Sequence, residues 1–200
     1  MEFEFSKGRL KFNKVLSDLD RFVFDFVDLL EASKIKYVIV SGYVVILFGR
    51  PRATEDIDIL TEHFDFERFK DFISLSKNNK FDIMNSADVS ELYYEFLKKN
   101  TAIRIFKGTI YPNAELKFAN SPINNEALKN PLRVVVNSKE LLISPLEQQI
   151  SYKLYLGSDK DIQDAKFLFE LFKDKLDIAK IMQTNKILKV EGKSKIYLGI

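Results

Sequence analysis

The stretch Ser41-Gly42-Tyr43-Val44-Val45-Ile46-Leu47-Phe48-Gly49-Arg50-Pro51-Arg52-Ala53-Thr54-Glu55-Asp56-Ile57-Asp58-Ile59-Leu60 decides how this chain is read. It grows out of a short β-branched run, Lys36 to Ser41, that reads as a strand buried on both faces. Tyr43 to Phe48 is apolar and reads as a short helix stopped at Gly49. Asp56 to Leu60 then alternates acid with aliphatic, the period of a second strand. Side chains on a strand alternate faces, so Asp56 and Asp58 point one way while Ile57 and Ile59 anchor the core. Adjacent carboxylates raise each other's proton affinity unless a cation sits between them, and a hard divalent ion such as Mg²⁺ resolves the repulsion. A bare Asp-x-Asp on a strand also fits a solvated sheet face, so the surroundings matter. Gly42, just after a buried strand, lets backbone approach a ligand, and a helix start there offers N–H groups to a phosphate. Arg52 and Thr54 precede the carboxylates and have the chemistry to contact phosphate oxygens or orient the loop.

Outward from this stretch, Leu10 to Ser33 has apolar residues at spacings of three and four and predicts one long helix. Helical spacing recurs over Asp65 to Leu75 and Val89 to Leu97. Phe81 to Met84, Ile103 to Phe106, Ala114 to Phe118 and Leu132 to Val136 read as strands, with Gly108 as a turn. From Ser144 the character changes. Ser144-Pro145-Leu146-Glu147 carries the marks of a helix start, with serine as cap and glutamate three residues on. That helix runs to about Leu156, a second opens at Ser158 and runs to about Phe172, and a third covers about Leu176 to Met182. A basic tail follows from Lys186. Mixed α/β followed by helices predicts a sheet with a helical segment packed against it.

Strand, Ser-Gly, short helix and Gly-Arg-Pro-Arg-Ala-Thr-Glu-Asp-Ile-Asp resembles the first motif of the polymerase-β-like nucleotidyltransferase superfamily. The likeness is greatest to the branch related to abortive-infection and toxin–antitoxin nucleotidyltransferases. Members of that branch usually carry two glycines after the first strand; Ser41 stands in for the first. The resemblance spans about residues 35 to 170 and implies an α/β (α+β) fold, a mixed sheet of four or five strands flanked by helices. It divides the chain into an N-terminal helix (1–34), a catalytic core (35–143) and a C-terminal helical segment (144–200) packed as one unit. It also implies a third carboxylate on a later strand. Glu115 in Ala114-Glu115-Leu116-Lys117-Phe118 is preferred over Asp82, because Glu115 and Lys117 share one face while Leu116 points into the core. The family more often has aspartate there.

By the same resemblance, the Lys153, Asp161 and Asp164 pattern closes the core. Lys153 would reach nucleotide phosphates, and the two aspartates would line the site or position that lysine. Asp161 equally fits a helix cap opened by Ser158. The implied activity is transfer of a nucleoside monophosphate from a nucleoside triphosphate to an acceptor hydroxyl. Two Mg²⁺ ions would be held by Asp56, Asp58 and Glu115, and phosphates by Ser41, Gly42, Arg52 and Lys153. The acceptors implied are a tRNA end or a protein hydroxyl. The alternative is a non-catalytic module that binds a nucleotide or partner protein, as in one half of a toxin–antitoxin pair.

Composition sets limits on these readings. In 200 residues there is no cysteine, which excludes disulfides, zinc-thiolate sites, iron–sulfur clusters and a cysteine nucleophile. His63 is the single histidine, so a histidine-rich metal cage is excluded, and its place after the second strand reads as a loop or helix start. The net charge of +2 by itself predicts no nucleic-acid partner. Residues 1–100 carry 15 basic and 18 acidic side chains, residues 101–200 carry 16 and 11. The basic second half also admits an RNA-binding protein that uses its tail. No basic region followed by an apolar run opens the chain and no run of 18 apolar residues exists, so the expectation is a cytoplasmic protein without membrane contact.

Overall fold

A computed structural model describes residues 2–6 and 8–200. The chain opens with β1 (Glu4–Ser6) and β2 (Arg9–Phe12), then α1 (Asp18–Ala32), β3 (Tyr37–Val40), α2 (Gly42–Leu47), β4 (Asp56–Thr61), α3 (Phe66–Asn78) and β5 (Phe81–Ile83). Next comes α4, which starts at Val89–Glu91 and continues through a π turn and a 3₁₀ turn to Lys99. It leads into β6 (Ile103–Lys107), β7 (Thr109–Phe118), α5 (Pro122–Lys129), β8 (Leu132–Val136) and β9 (Lys139–Ile143). Four helices close the chain: α6 (Leu146–Leu156), α7 (Asp159–Phe172), α8 (Ile178–Leu188) and α9 (Glu191–Leu198).

Among the described residues the strands form one mixed sheet in the order β1-β2-β8-β9-β3-β4-β7-β6-β5. The central neighbours set up the site: β3 and β4 are antiparallel, β4 and β7 parallel, β7 and β6 antiparallel. Ile39, Ile57, Ile59, Ile105, Ala114 and Leu116 give one sheet face to the main core, where Phe22, Phe26 and Val27 of α1 and Phe69 and Phe72 of α3 are buried with them. Burial of each such side chain contributes about 1.5–3 kcal/mol, which pins the register and with it the face on which the alternate residues emerge. On the other face, Val38 and Leu60 meet Ala119 and, from α5, Ala127 in a small second cluster, and Asp56, Asp58, Glu115 and Lys117 are part-exposed.

Several expectations change. The sheet has nine strands rather than four or five. Residues Arg9–Phe12 form a strand, not the first turns of a helix, because pairing with β8 lets Leu10 and Phe12 enter the core while Arg9 and Lys11 stay outside. The N-terminal segment is therefore part of the sheet. α1 starts instead at Ser17, whose side chain and that of Asp20 satisfy each other's backbone N–H. β9 is an element beyond those expected; it pairs with β8 across Asn137 and Ser138, both at positive φ. α5 is another, although Ser121 caps it and Pro122 opens it. Ser144 does not cap α6: Pro145 takes the cap position and the Ser144 hydroxyl donates to Gln149 at 2.8 Å. The third C-terminal helix runs on to Leu188, and the basic tail holds α9. Among the described residues no helix is long and apolar enough to cross a membrane.

Candidate active site

β4 presents Asp56 and Asp58 on the open face, with Ile57 and Ile59 buried behind them. The parallel pairing with β7 sets Glu115 beside Asp58 and Asn113 beside Asp56. Three carboxylates thus form a row across two adjacent strands. Asp82 lies on β5, three strands from β4, roughly 14 Å away across the sheet at the usual strand spacing. Two cations of the same face hold part of the row. Arg104 of β6 places Nε 2.8 Å and a terminal nitrogen 2.6 Å from Glu115 Oε1. Lys117 Nζ lies 3.3 Å from Asp58 Oδ1. The hydrogen bond from Arg104 to Glu115, and after it the charge of Glu115, hold the guanidinium above its usual pKa against a small effect of burial, with Asp56 and Tyr111 adding to the effect. The Thr54 hydroxyl sits 3.2 Å from Asp56 Oδ1.

Among the described residues, no three His, Asp or Glu side chains converge closely enough to hold a metal ion between them. The donor chemistry of the row nevertheless suits a hard divalent cation, since every donor is oxygen. Asn113 adds to it. This residue is 3% exposed, its amide nitrogen reaches Glu55 O and Ile110 O at 3.3 and 3.4 Å, and its Oδ1 has no hydrogen-bond partner. Alternation along β7 puts it on the acidic face.

The turn between β3 and α2 borders the row. Ser41 has φ 65° and ψ −132°, a conformation that glycine adopts and other residues resist. Gln149 of α6 holds it: the Gln149 amide donates to Ser41 O at 2.8 Å, and the Ser41 N–H donates to Gln149 Oε1 at 3.3 Å. Gly42 leaves room for the Arg52 side chain. A Cβ there would lie 2.9 Å from the Arg52 guanidinium and 3.3 Å from the Thr54 hydroxyl. Ser41, Asp58, Lys117, Asn124, Gln148 and Tyr152 line a cavity of 210 Å³ beside the row.

Lys153, expected to reach phosphates, is 2% exposed and shared between Asp161 at 2.7 Å and Asp164 at 3.0 Å. Asp164 is fully buried. It pairs also with Arg50, at 2.7 Å, and with Arg52. This ionic network ties the loop before β4 to α6 and α7 and sets Arg52 over Gly42. Burial raises the pKa of Asp161, but hydrogen bonds from Lys153 and Ser158 and the charges of Lys153 and Arg52 outweigh it and hold the carboxyl below its ordinary value. Ser158 caps α7 through the Asp161 N–H, so Asp161 serves the cap and the lysine together. His63, at the opposite end of β4 from Asp56, bonds Asn120 at 2.7 Å and packs on Phe118.

Sequence reasoning missed Arg50, Arg104, Asn113 and Gln149. Arg104 had a signal in its alternation with Ile103 and Ile105, but its partner is defined only by the β6–β7 register.

No protein-family model and no curated protein matches the sequence. Solved structures do resemble the fold. An antigenic nucleotidyltransferase-like protein from Paracoccidioides brasiliensis is 16% identical over 88% of this chain and 90% of its own, with a TM-score of 0.53. The lincosamide antibiotic adenylyltransferase LnuA, bound to lincomycin, is 15% identical over 78% of this chain and 98% of its own, with a TM-score of 0.50. The antibiotic-resistance factor ANT(2'')-Ia is 12% identical over 90% of this chain and 95% of its own, with a TM-score of 0.51. The mixed sheet, its flanking helices and the helical C-terminal segment of this chain share their fold with these nucleotidyltransferase-like and adenylyltransferase structures.

Proposed function

We propose that this chain is a Mg²⁺-dependent nucleotidyltransferase that moves a nucleoside monophosphate from a nucleoside triphosphate to an acceptor hydroxyl. The observation that carries the reading is the β4–β7 register, which sets Glu115 beside Asp58 on the open face. Asp56, Asp58 and Glu115 are the residues to hold the metal. A divalent cation held by these carboxylates would supply charge neutralisation for the phosphates and lower the pKa of the acceptor hydroxyl. The Ser41–Gly42 turn receives the phosphates from the side of the cavity, and Thr54 orients Asp56. Arg52 packs against the turn, and Asp164, itself paired with Lys153 and through it with Asp161, holds Arg52 in place. The acceptor oxygen forms a bond to the α-phosphorus while the bond from that phosphorus to the bridging oxygen breaks. Pyrophosphate leaves, and the hydroxyl proton passes to the Glu115 carboxylate.

Among acceptors, the reading keeps the tRNA end and the protein hydroxyl that the sequence motif implies, together with the small-molecule hydroxyl suggested by the antibiotic adenylyltransferases. A role in a toxin–antitoxin or phage-defence pair, in the cytoplasm, belongs to the same proposal. Calorimetric titration of the four ribonucleoside triphosphates with Mg²⁺ tests it. The wild type is expected to bind at least one of them. Asp56→Ala/Asp58→Ala is expected to lose that binding, and nucleotide transfer with it by about 10³-fold, or about 4 kcal/mol of transition-state stabilisation. Binding that ignores both Mg²⁺ and the aspartates would sink the reading. The pairing of Glu115 with Arg104 and of Asp58 with Lys117 favours a second reading, a nucleotide- or partner-binding module without turnover. Tight nucleotide binding with no labelled product on any acceptor would support it.

A further inference from the structure

The row of three carboxylates faces two cations that the same sheet supplies. Arg104 and Lys117 flank it from β6 and β7, and each engages one carboxylate oxygen. Neither cation is locked in place. The Arg104 side chain is 51% exposed and that of Lys117 is 33% exposed. They differ in this from Arg52 and Lys153, whose partners are buried with them. Each pair keeps its cation partly in solvent, where an ion pair is worth less than one buried on both sides. Lys117 also lines the cavity that Ser41 and Asp58 share, with its ammonium 3.3 Å from Asp58 Oδ1. Buried Asn113, in register with Asp56, has an Oδ1 with no hydrogen-bond partner. A buried acceptor without a donor is costly unless a ligand completes it.

We propose that Arg104 and Lys117 are the resting countercharges of the acidic row, and that they transfer to the triphosphate when Asp58 and Glu115 exchange them for a divalent ion. The inference rests on the nucleotidyltransferase reading and assigns two positioning residues within it. Three carboxylates with two cations leave the free site with one net negative charge. If both cations stayed in place after a divalent ion bound, the carboxylates would be over-neutralised. A polyphosphate supplies the anion that draws them off. The same two side chains therefore suppress metal binding in the free protein and strengthen polyphosphate binding once the metal is present.

Opposite changes in two affinities test this. Mn²⁺ alone, counted by electron paramagnetic resonance, and inorganic triphosphate with excess Mg²⁺, followed by calorimetry, are titrated into the wild type, Lys117→Met, Arg104→Met and Asp58→Asn. Methionine keeps an apolar stem and removes the charge, and both positions are exposed enough to leave the fold intact. Lys117→Met and Arg104→Met are each expected to tighten Mn²⁺ on the order of tenfold and to weaken triphosphate by a similar factor. Lys117→Arg is expected to restore both. A merely structural role would not move the two affinities in opposite directions. Equal Mn²⁺ affinity in wild type, Lys117→Met and Arg104→Met, with Asp58→Asn still losing it, overturns the countercharge proposal and leaves the site reading intact. Mn²⁺ affinity unchanged in Asp58→Asn, or absent from every variant, overturns the site reading itself.

Discussion

Ser41 occupies a backbone conformation that costs a side-chain-bearing residue about 1–3 kcal/mol. It persists because Gln149 binds both its N–H and its carbonyl, and Ser144 fixes Gln149 in turn. Replacing Ser41 by glycine relieves that strain and gives back part of the gain through the more flexible unfolded chain, about 0.4–1 kcal/mol. Ser41→Gly is therefore expected to be more stable by about 1 kcal/mol, seen as a higher urea midpoint with an unchanged slope. The sequence alone flagged this position, because a serine stands where the resembled motif has glycine. Gly42 was legible for a related reason, yet the group that crowds it, the guanidinium of Arg52, was not. Arg52 lies ten residues away, and its placement depends on Asp164 in α7.

At the level of elements, the alternation of β4 and β7 makes the acidic face readable from residue order alone. Ile57, Ile59 and Leu116 could only face inward, so Asp56, Asp58 and Glu115 had to emerge on the other side. What alternation cannot give is pairing. Arg104 and Asn113 join the row through the registers of β6 and β4 with β7, set by contacts far apart in sequence. The ionic network between the 50–54 loop, α6 and α7 is a second element-scale device. Asp164→Asn is expected to take the carboxylate partner from Arg50 and Arg52, to leave Lys153 only Asp161, and to cost about 3–5 kcal/mol in thermal or urea unfolding. The pH dependence has a definite sign. Burial pushes Asp20 and Asp161 upward, but stronger hydrogen bonds and positive charges (Ser17 and Lys14 for one, Lys153 and Ser158 for the other) hold both carboxyls below their ordinary value of 3.8. A depressed folded pKa contributes stability above the unfolded value, and that contribution fades as pH falls through the folded one. Stability is expected to drop below about pH 4, and Asp161→Asn to flatten that drop in acid titrations followed by circular dichroism.

Across the whole molecule, aromatic packing joins segments far apart in the chain. Phe172 of α7 packs its ring 4.9 Å from that of Phe48 and 5.2 Å from that of Phe3, while Phe12 of β2 lies 5.2 Å from Phe3. The N-terminal strands, the end of α2 and the C-terminal helices thereby share one core. Phe172→Ala is expected to cost about 3–5 kcal/mol in a single cooperative unfolding transition, with circular dichroism and tyrosine fluorescence coinciding. Separate transitions for the sheet and the helices would contradict a shared core.

The sequence by itself determined which residues share a face, because a period of two on a strand and a period near 3.6 on a helix are local geometry. It put Asp56 and Asp58 on one face of their strand and Glu115 on the outward face of its own, and marked the Ser41–Gly42 turn. Only the tertiary structure decided what those residues touch. It took Lys153 out of reach of solvent and gave it to Asp161 and Asp164, set Arg104 and Lys117 against the carboxylates, and brought Gln149 to Ser41 across 108 residues. It also recruited β1, β2 and β9 to the sheet, since short strands are stabilised by the neighbours they pair with more than by their own sequence.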